Sequence, residues 1–118
     1  MNAKPDDRER LKHIIEAIDR IKKFTQGMSY QDFSKDEVTQ FAIIKNFEII
    51  GEASYHLTDE LRKANPAVEW RKIMAFRHIL VHDYYQINLE IVWKAKGNKL
   101  DELNGQIKDI MEKISSTY

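Results

Sequence analysis

Trp70-Arg71-Lys72-Ile73-Met74-Ala75-Phe76-Arg77-His78-Ile79-Leu80-Val81-His82-Asp83-Tyr84-Tyr85 gathers two histidines, two arginines, a tryptophan and a tyrosine pair into sixteen residues. Wound as a helix at about 100° per residue, the segment lays Trp70, Ile73, Met74, Arg77, Leu80, Val81 and Tyr84 along one broad stripe. A core-facing stripe accounts for the apolar members but not for Arg77 among them. A buried guanidinium is costly unless it is paired, or unless its face meets water or a second chain. On an adjacent face Arg71, His78 and His82 come together, the two histidines stacked at i, i+4. Arg77 and His82 stand five apart, about 140° round the axis, so on an ideal helix they diverge. Either the helix ends near His82, or a working site takes its arginine from one chain and its histidine from another.

Outward from this segment the chain reads as helical scaffold. Pro5-Asp6-Asp7 is a helix start with acids in the first turn. Leu11, Ile14, Ile15, Ile18 and Ile21 then recur at helical spacing, predicting an amphipathic helix over Asp7–Thr25 that Gly27 stops. Met28–Phe33 reads as a connector whose Tyr30 and Phe33 fold back onto the bundle. Ser34-Lys35-Asp36-Glu37 has the form of a capping box. The helix after it meets no proline until Pro66, which predicts a run of about 30 residues. Its apolar residues, Val38, Phe41, Ile43, Ile44, Phe47, Ile49, Ile50, Tyr55, Leu57 and Leu61, go most of the way round the wheel. That pattern suits a central helix, or one touching both its own bundle and a partner subunit. Gly51 costs such a helix about 1 kcal/mol against alanine, and close approach of another helix is the reason to keep it.

Glu48, Glu52 and His56 form an i, i+4, i+8 row on the same helix. They are either a solvated surface row or, more sharply, place Glu52 as a partner for Arg77 or a histidine of the next helix. That next helix is expected from Glu69 to His82, followed by a turn over Asp83–Asn88. Asn88 is the N-cap of a helix holding Ile91, Val92 and Trp93. Gly97-Asn98 breaks it, and Leu100, Leu103, Ile107, Ile110, Met111 and Ile114 mark a last amphipathic helix. No strand-like alternation, internal repeat or low-complexity run interrupts this order. The expected architecture is all-α, an antiparallel up-and-down bundle of four to five helices forming one domain over residues 1–118.

Composition narrows the function. The chain has 118 residues, 19 basic and 19 acidic side chains and a formal net charge of zero, which argues against binding nucleic acid by bulk charge. Any RNA contact must come from a local basic patch. The absence of cysteine removes disulfides and cysteine-based zinc sites. His78 and His82 have the spacing of two zinc ligands, but no H-E-x-x-H motif accompanies them, so no metal or other cofactor is expected. No apolar run of about 18 residues appears, and the opening MNAKPDDRER carries no signal-peptide core, so the expectation is a cytoplasmic protein away from membranes. Trp70 and Trp93 read as core or interface anchors.

At Arg77-x4-His82-x-Tyr84 the chain resembles the HEPN-domain ribonucleases, whose signature is R-x(4–6)-H-x-Y, and within them the HepT toxin branch. Phe47-Glu48-Ile49-Ile50-Gly51-Glu52-Ala53 is similar to that family's second-helix pattern. Pro66 to Trp70 is similar to its entry into the third helix, and Ile91-Val92-Trp93 to the start of the next. The resemblance implies a homodimeric endoribonuclease that needs no metal, with a composite cleft between the subunits. It assigns proton transfer to His82 and phosphate contact to Arg77, with His78, Glu52 and Tyr84 in support. The chemistry is coherent. Attack by a 2′-hydroxyl needs a base, an acid for the leaving 5′-oxygen, and a cation for the charge that builds on phosphorus. Histidine titrates near neutral pH and arginine offers a bidentate fork. The resemblance also implies a nucleotidyltransferase antitoxin that silences the toxin by adenylylating Tyr84, putting anionic bulk in the cleft. A rival reading keeps the fold and the nucleotidyltransferase partner but removes the catalysis. The chain is then a helical module that presents substrate or nucleotide.

Overall fold

The computed structural model describes residues 5–83 and 86–117. Among them the helices run α1 (Pro5–Phe24), α2 (Tyr30–Lys35), α3 (Glu37–His56), α4 (Asp59–Ala64), α5 (Trp70–His82), α6 (Leu89–Ala95) and α7 (Asn98–Thr117), with no strand. The long helices α1, α3, α5 and α7 make the bundle, and α2, α4 and α6 are short connecting pieces. Seven helices stand where four to five were expected, because two short ones lie in stretches read as a connector and as part of a longer helix.

The apolar periodicity of α1 and α7 converts directly into packing. Leu11, Ile14, Ile18 and Ile21 are fully buried, and Leu100, Leu103, Ile107, Ile110 and Ile114 meet the same core. Each such side chain contributes roughly 1.5–3 kcal/mol by leaving water. α1 runs antiparallel to α3: Asp7 at its start reaches Thr58, just past the end of α3, while Arg20 near its end donates to Asn46. Lys22, late in α1, pairs with Asp101, early in α7, so this pair is antiparallel too. Gly27 stops α1 with a φ of +76°, a conformation that costs glycine little.

Two expectations about α3 are corrected. Its N-cap is Asp36, whose carboxylate accepts from the Thr39 amide and hydroxyl; these bonds hold the Asp36 carboxyl below its usual value. Ser34 sits inside α2 and donates to the Gln31 carbonyl, while the capping box belongs to Ser29 and Asp32. Asp36 stands two residues nearer the helix, and its carboxylate takes the cap. The expected run of about 30 residues also breaks at Leu57-Thr58, both extended. The cause is tertiary. Buried Asp7 accepts from the Thr58 amide and hydroxyl at 2.9 and 2.8 Å, and Thr58 in turn caps α4. Arg62 folds back to donate to the carbonyls of Ser54 and Tyr55, satisfying the orphan acceptors at the end of α3.

The later breaks fall as read. Pro66 lies in the turn before α5, Asn88 caps α6 through the amides of Glu90 and Ile91, and α6 ends before Gly97. Phe33 is buried with its ring 5.0 Å from that of half-buried Trp93, so the connector does fold back. Trp70 is buried and donates its indole N–H to the Asn65 carbonyl, which anchors the start of α5. No helix among the described residues is long and apolar enough to cross a membrane.

Candidate functional site

α5 is carried mainly by α3, and the crossing is close because residue 51 has no side chain. A Cβ built on Gly51 would lie 2.2 Å from the Arg77 Cβ and 3.3 Å from the Ile73 carbonyl oxygen. Arg77 therefore leaves α5 directly over the α3 backbone. Its stem is covered and its fork emerges at the rim, with the side chain 31% exposed. Glu52, one residue beyond the glycine, meets the fork: Arg77 Nη2 donates to Glu52 Oε2 at 3.3 Å. The other carboxylate oxygen, Oε1, lies 3.5 Å from His56 Nε2. The row read on α3 thus turns its lower half toward the motif, and Glu52 sits between a guanidinium and an imidazole. The pair is open to solvent, with Glu52 53% exposed, so its net contribution to stability is small. Arg77 Nε is buried and has no hydrogen-bond partner among the described residues.

His78 and His82 lie elsewhere. Both are exposed, with ring centroids 4.4 Å apart, stacked at i, i+4 as the spacing requires. α5 keeps helical geometry through His82, since the Asp83 amide still donates to the Ile79 carbonyl at 2.9 Å. The helix does end at His82, but too late to swing that side chain toward Arg77. The arc of about 140° between them holds, and within one chain the arginine and histidine of the motif do not converge. Tyr84 lies outside the described residues. Among the described residues no cluster of three metal-ligating side chains forms.

The outer face of α3 carries exposed apolar side chains. Along α3, Val38, Phe41 and Tyr55 point outward on the face that carries Glu52, with Phe41 64% and Tyr55 62% exposed. Val81, one turn past Arg77 on α5, is exposed as well. This is the second apolar side that the hydrophobicity all round α3 foretold. On the opposite flank of α5 a cavity of about 270 Å³ opens toward α7, walled by Phe47, Ile50, Ile73, Phe76, Leu100 and Leu103. At its mouth Glu69 bridges Lys72 and Lys99 at 2.8 and 3.0 Å. The hydrogen bond from Lys72, then that from Lys99, hold the Glu69 carboxyl below its usual range, and the Glu69 hydrogen bond raises the Lys99 ammonium. The cavity left no sign in the sequence, because helical periodicity marks which residues turn inward and not how completely they fill the space between helices. His56 was visible only as one member of a row. The row's i, i+4 spacing put His56 next to Glu52, and the contact of Glu52 with Arg77 is the one offered for it from the sequence.

Comparison with known proteins follows the same line. A family model described as "HepT-like: Ribonuclease HepT-like" matches residues 14–110. The chain is 33% identical over 107 residues to a Thermococcus cleftensis protein named "Probable ribonuclease HepT", covering 91% of this chain and 97% of that one. It is 35% identical over 103 residues to a "Putative RNase" of Caldanaerobacter subterraneus subsp. tengcongensis, covering 87% and 92%. A "Putative RNase" of Methanocaldococcus jannaschii is 36% identical over 111 residues, covering 94% and 92%. No solved structure matches the chain.

Proposed function

Because this chain belongs to the HepT-like ribonuclease family, we propose that it is a metal-independent endoribonuclease acting as a homodimer, the toxin of a toxin–antitoxin pair. The observation that carries the reading is the divergence of Arg77 and His82 on one continuous helix, both reaching solvent, in a molecule that leaves apolar side chains of α3 and α5 exposed. A second copy docked along Phe41, Tyr55 and Val81 buries these side chains and brings its own His82 toward Arg77. Each cleft then takes its guanidinium from one protomer and its imidazole from the other.

In this site Arg77 contacts the non-bridging phosphate oxygens. His82 moves the proton between the 2′-hydroxyl and the leaving 5′-oxygen. The 2′-oxygen attacks phosphorus, the bond to the 5′-oxygen breaks, and a cyclic phosphate and a 5′-hydroxyl result. His78, stacked on His82, fixes its ring. The neutral overall charge leaves RNA capture to local basic groups, Arg77 of one copy with Arg71, His78 and His82 of the other. Tyr84, two residues past His82, is the target of a nucleotidyltransferase antitoxin. Its hydroxyl displaces pyrophosphate from ATP and acquires AMP, whose charge repels RNA from the cleft.

Complementation tests this reading. Arg77→Ala and His82→Ala chains, each inactive on total RNA, are mixed under conditions that exchange subunits. Random pairing makes half the dimers mixed, each with one intact cleft of two, so about a quarter of wild-type cleavage returns. No recovery from a pair of folded, exchanging variants overturns the shared site. No cleavage by the wild type itself moves the protein to the non-catalytic module.

A further inference from the structure

We propose that His56 and Arg77 form a phosphate clamp within each protomer, occupied by the Glu52 carboxylate until RNA arrives, which makes His56 a further substrate-contacting residue. This rests on the reading of Arg77 as the phosphate ligand and extends it to a side chain outside the R-x4-H-x-Y motif.

The argument begins with what stands beside Arg77 in its own chain. His82 is turned away by about 140°, and His78 stacks on His82. The imidazole that shares an anion with Arg77 is His56, through the two oxygens of one carboxylate at 3.3 and 3.5 Å. Carboxylate and phosphate present paired oxygens to a guanidinium in the same forked geometry. An anion bridged between Arg77 and His56 is therefore what the pocket already holds. Both contacts are long for charge-assisted hydrogen bonds, which run about 2.7–2.9 Å. Glu52 is thus a loosely held occupant that a phosphate, free to approach head-on, can displace.

The groups that bear on His56 are few. Glu52 faces it from its own helix with Arg77 of α5 behind. On the α4 side Arg62 donates to the Tyr55 carbonyl next to it and pairs with Asp59. Asp59 is already paired with Arg62, which leaves Glu52 as the carboxylate that meets His56. When a phosphodiester enters, Glu52 swings out to solvent, and His56 Nε2 donates to a phosphate oxygen in the place that Glu52 Oε1 held.

The test uses the full chain and an oligoribonucleotide methylated at every 2′-oxygen, which binds and cannot be cut. Titration is followed through the histidine ring and arginine Nε–H signals. His56 and Arg77 shift together at the same concentration, while His13, exposed on α1, stays still. His56→Ala weakens binding roughly tenfold, as loss of a hydrogen bond to a charged group does. It also flattens the logarithmic salt dependence by about 0.7, the share of one single-strand phosphate contact. His56→Gln, which keeps a hydrogen-bond donor there, recovers part of the affinity. Glu52→Gln, which removes the resident anion, tightens binding. Wild-type affinity and salt slope in His56→Ala, with Arg77→Ala impaired, overturn the clamp. Cleavage of unmodified RNA is scored in parallel. A chain that binds through both residues yet cuts nothing keeps the clamp and loses the nuclease. One whose binding and cutting are unchanged in His56→Ala keeps the nuclease and loses the clamp.

Discussion

Replacing Gly51 with alanine should part α3 from α5 and disarm Arg77. In an isolated helix the change stabilises by about 1 kcal/mol. Here the new methyl would stand 2.2 Å from the Arg77 Cβ, 2.9 Å from its Cγ and 3.3 Å from the Ile73 carbonyl oxygen. Carbon atoms in contact sit about 3.5–4.0 Å apart, so the helices must separate by more than about 1 Å at their crossing. Both Cβ atoms are fixed to their backbones, and no rotamer relieves the overlap. Overpacking costs about 1–3 kcal/mol, and an overlap this deep belongs at the top of that range. Less the propensity gain, the net loss is about 2 kcal/mol, or roughly 8 °C in Tm for a chain of this size. Denaturation followed by far-ultraviolet circular dichroism measures it. Misplacing Arg77 by about 1 Å should also lower RNA cleavage on the order of a hundredfold. An alanine variant that gains stability and cleaves normally would refute the close crossing and the role given to it.

Three further outcomes are expected. Asp7→Ala should destabilise by about 2–4 kcal/mol in urea denaturation, because the Thr58 amide and hydroxyl lose their buried acceptor; a change below about 1 kcal/mol would mean water replaces the carboxylate there. Phe41→Asp should abolish dimers in sedimentation velocity while shifting stability by less than about 0.5 kcal/mol, since the side chain is exposed in the single chain; dimers that survive it place the seam elsewhere. Glu69 has a depressed folded-state pKa, so its contribution is complete above the ordinary carboxyl value of 4.5 and fades as pH falls through the lower folded value. The gap in Tm between wild type and Glu69→Gln should therefore be constant near neutrality and close on acidification below about pH 5, and a gap independent of pH refutes the bridge to Lys72 and Lys99.

Sequence alone determined the helical class, the inward faces of α1 and α7, the stops at Gly27, Pro66 and Gly97, and the family motif at Arg77-x4-His82. All of these depend on local periodicity, on turn chemistry or on residue identity, and each is complete within a few residues. The length of α3 was not legible, because the contact that breaks it joins Thr58 to Asp7 from 51 residues away. The cap of α3 went to Asp36 over Ser34, two residues earlier, because the backbone sets the Asp36 carboxylate against the Thr39 amide and keeps Ser34 inside α2, its hydroxyl on the Gln31 carbonyl. The candidate site divides in the same way. Spacing gave the divergence of Arg77 from His82 and the stacking of His78 on His82. The row on α3 offered Glu52 as a partner for Arg77, and Gly51 as a point of close approach. Only tertiary structure decided that Arg77 is what crosses Gly51, that the Glu52 pair forms, and that apolar side chains of α3 and α5 stay exposed. Those facts are distances between helices. They are fixed by how side chains of different volume fill the space where α3 and α5 cross, which the order of residues along either helix does not contain.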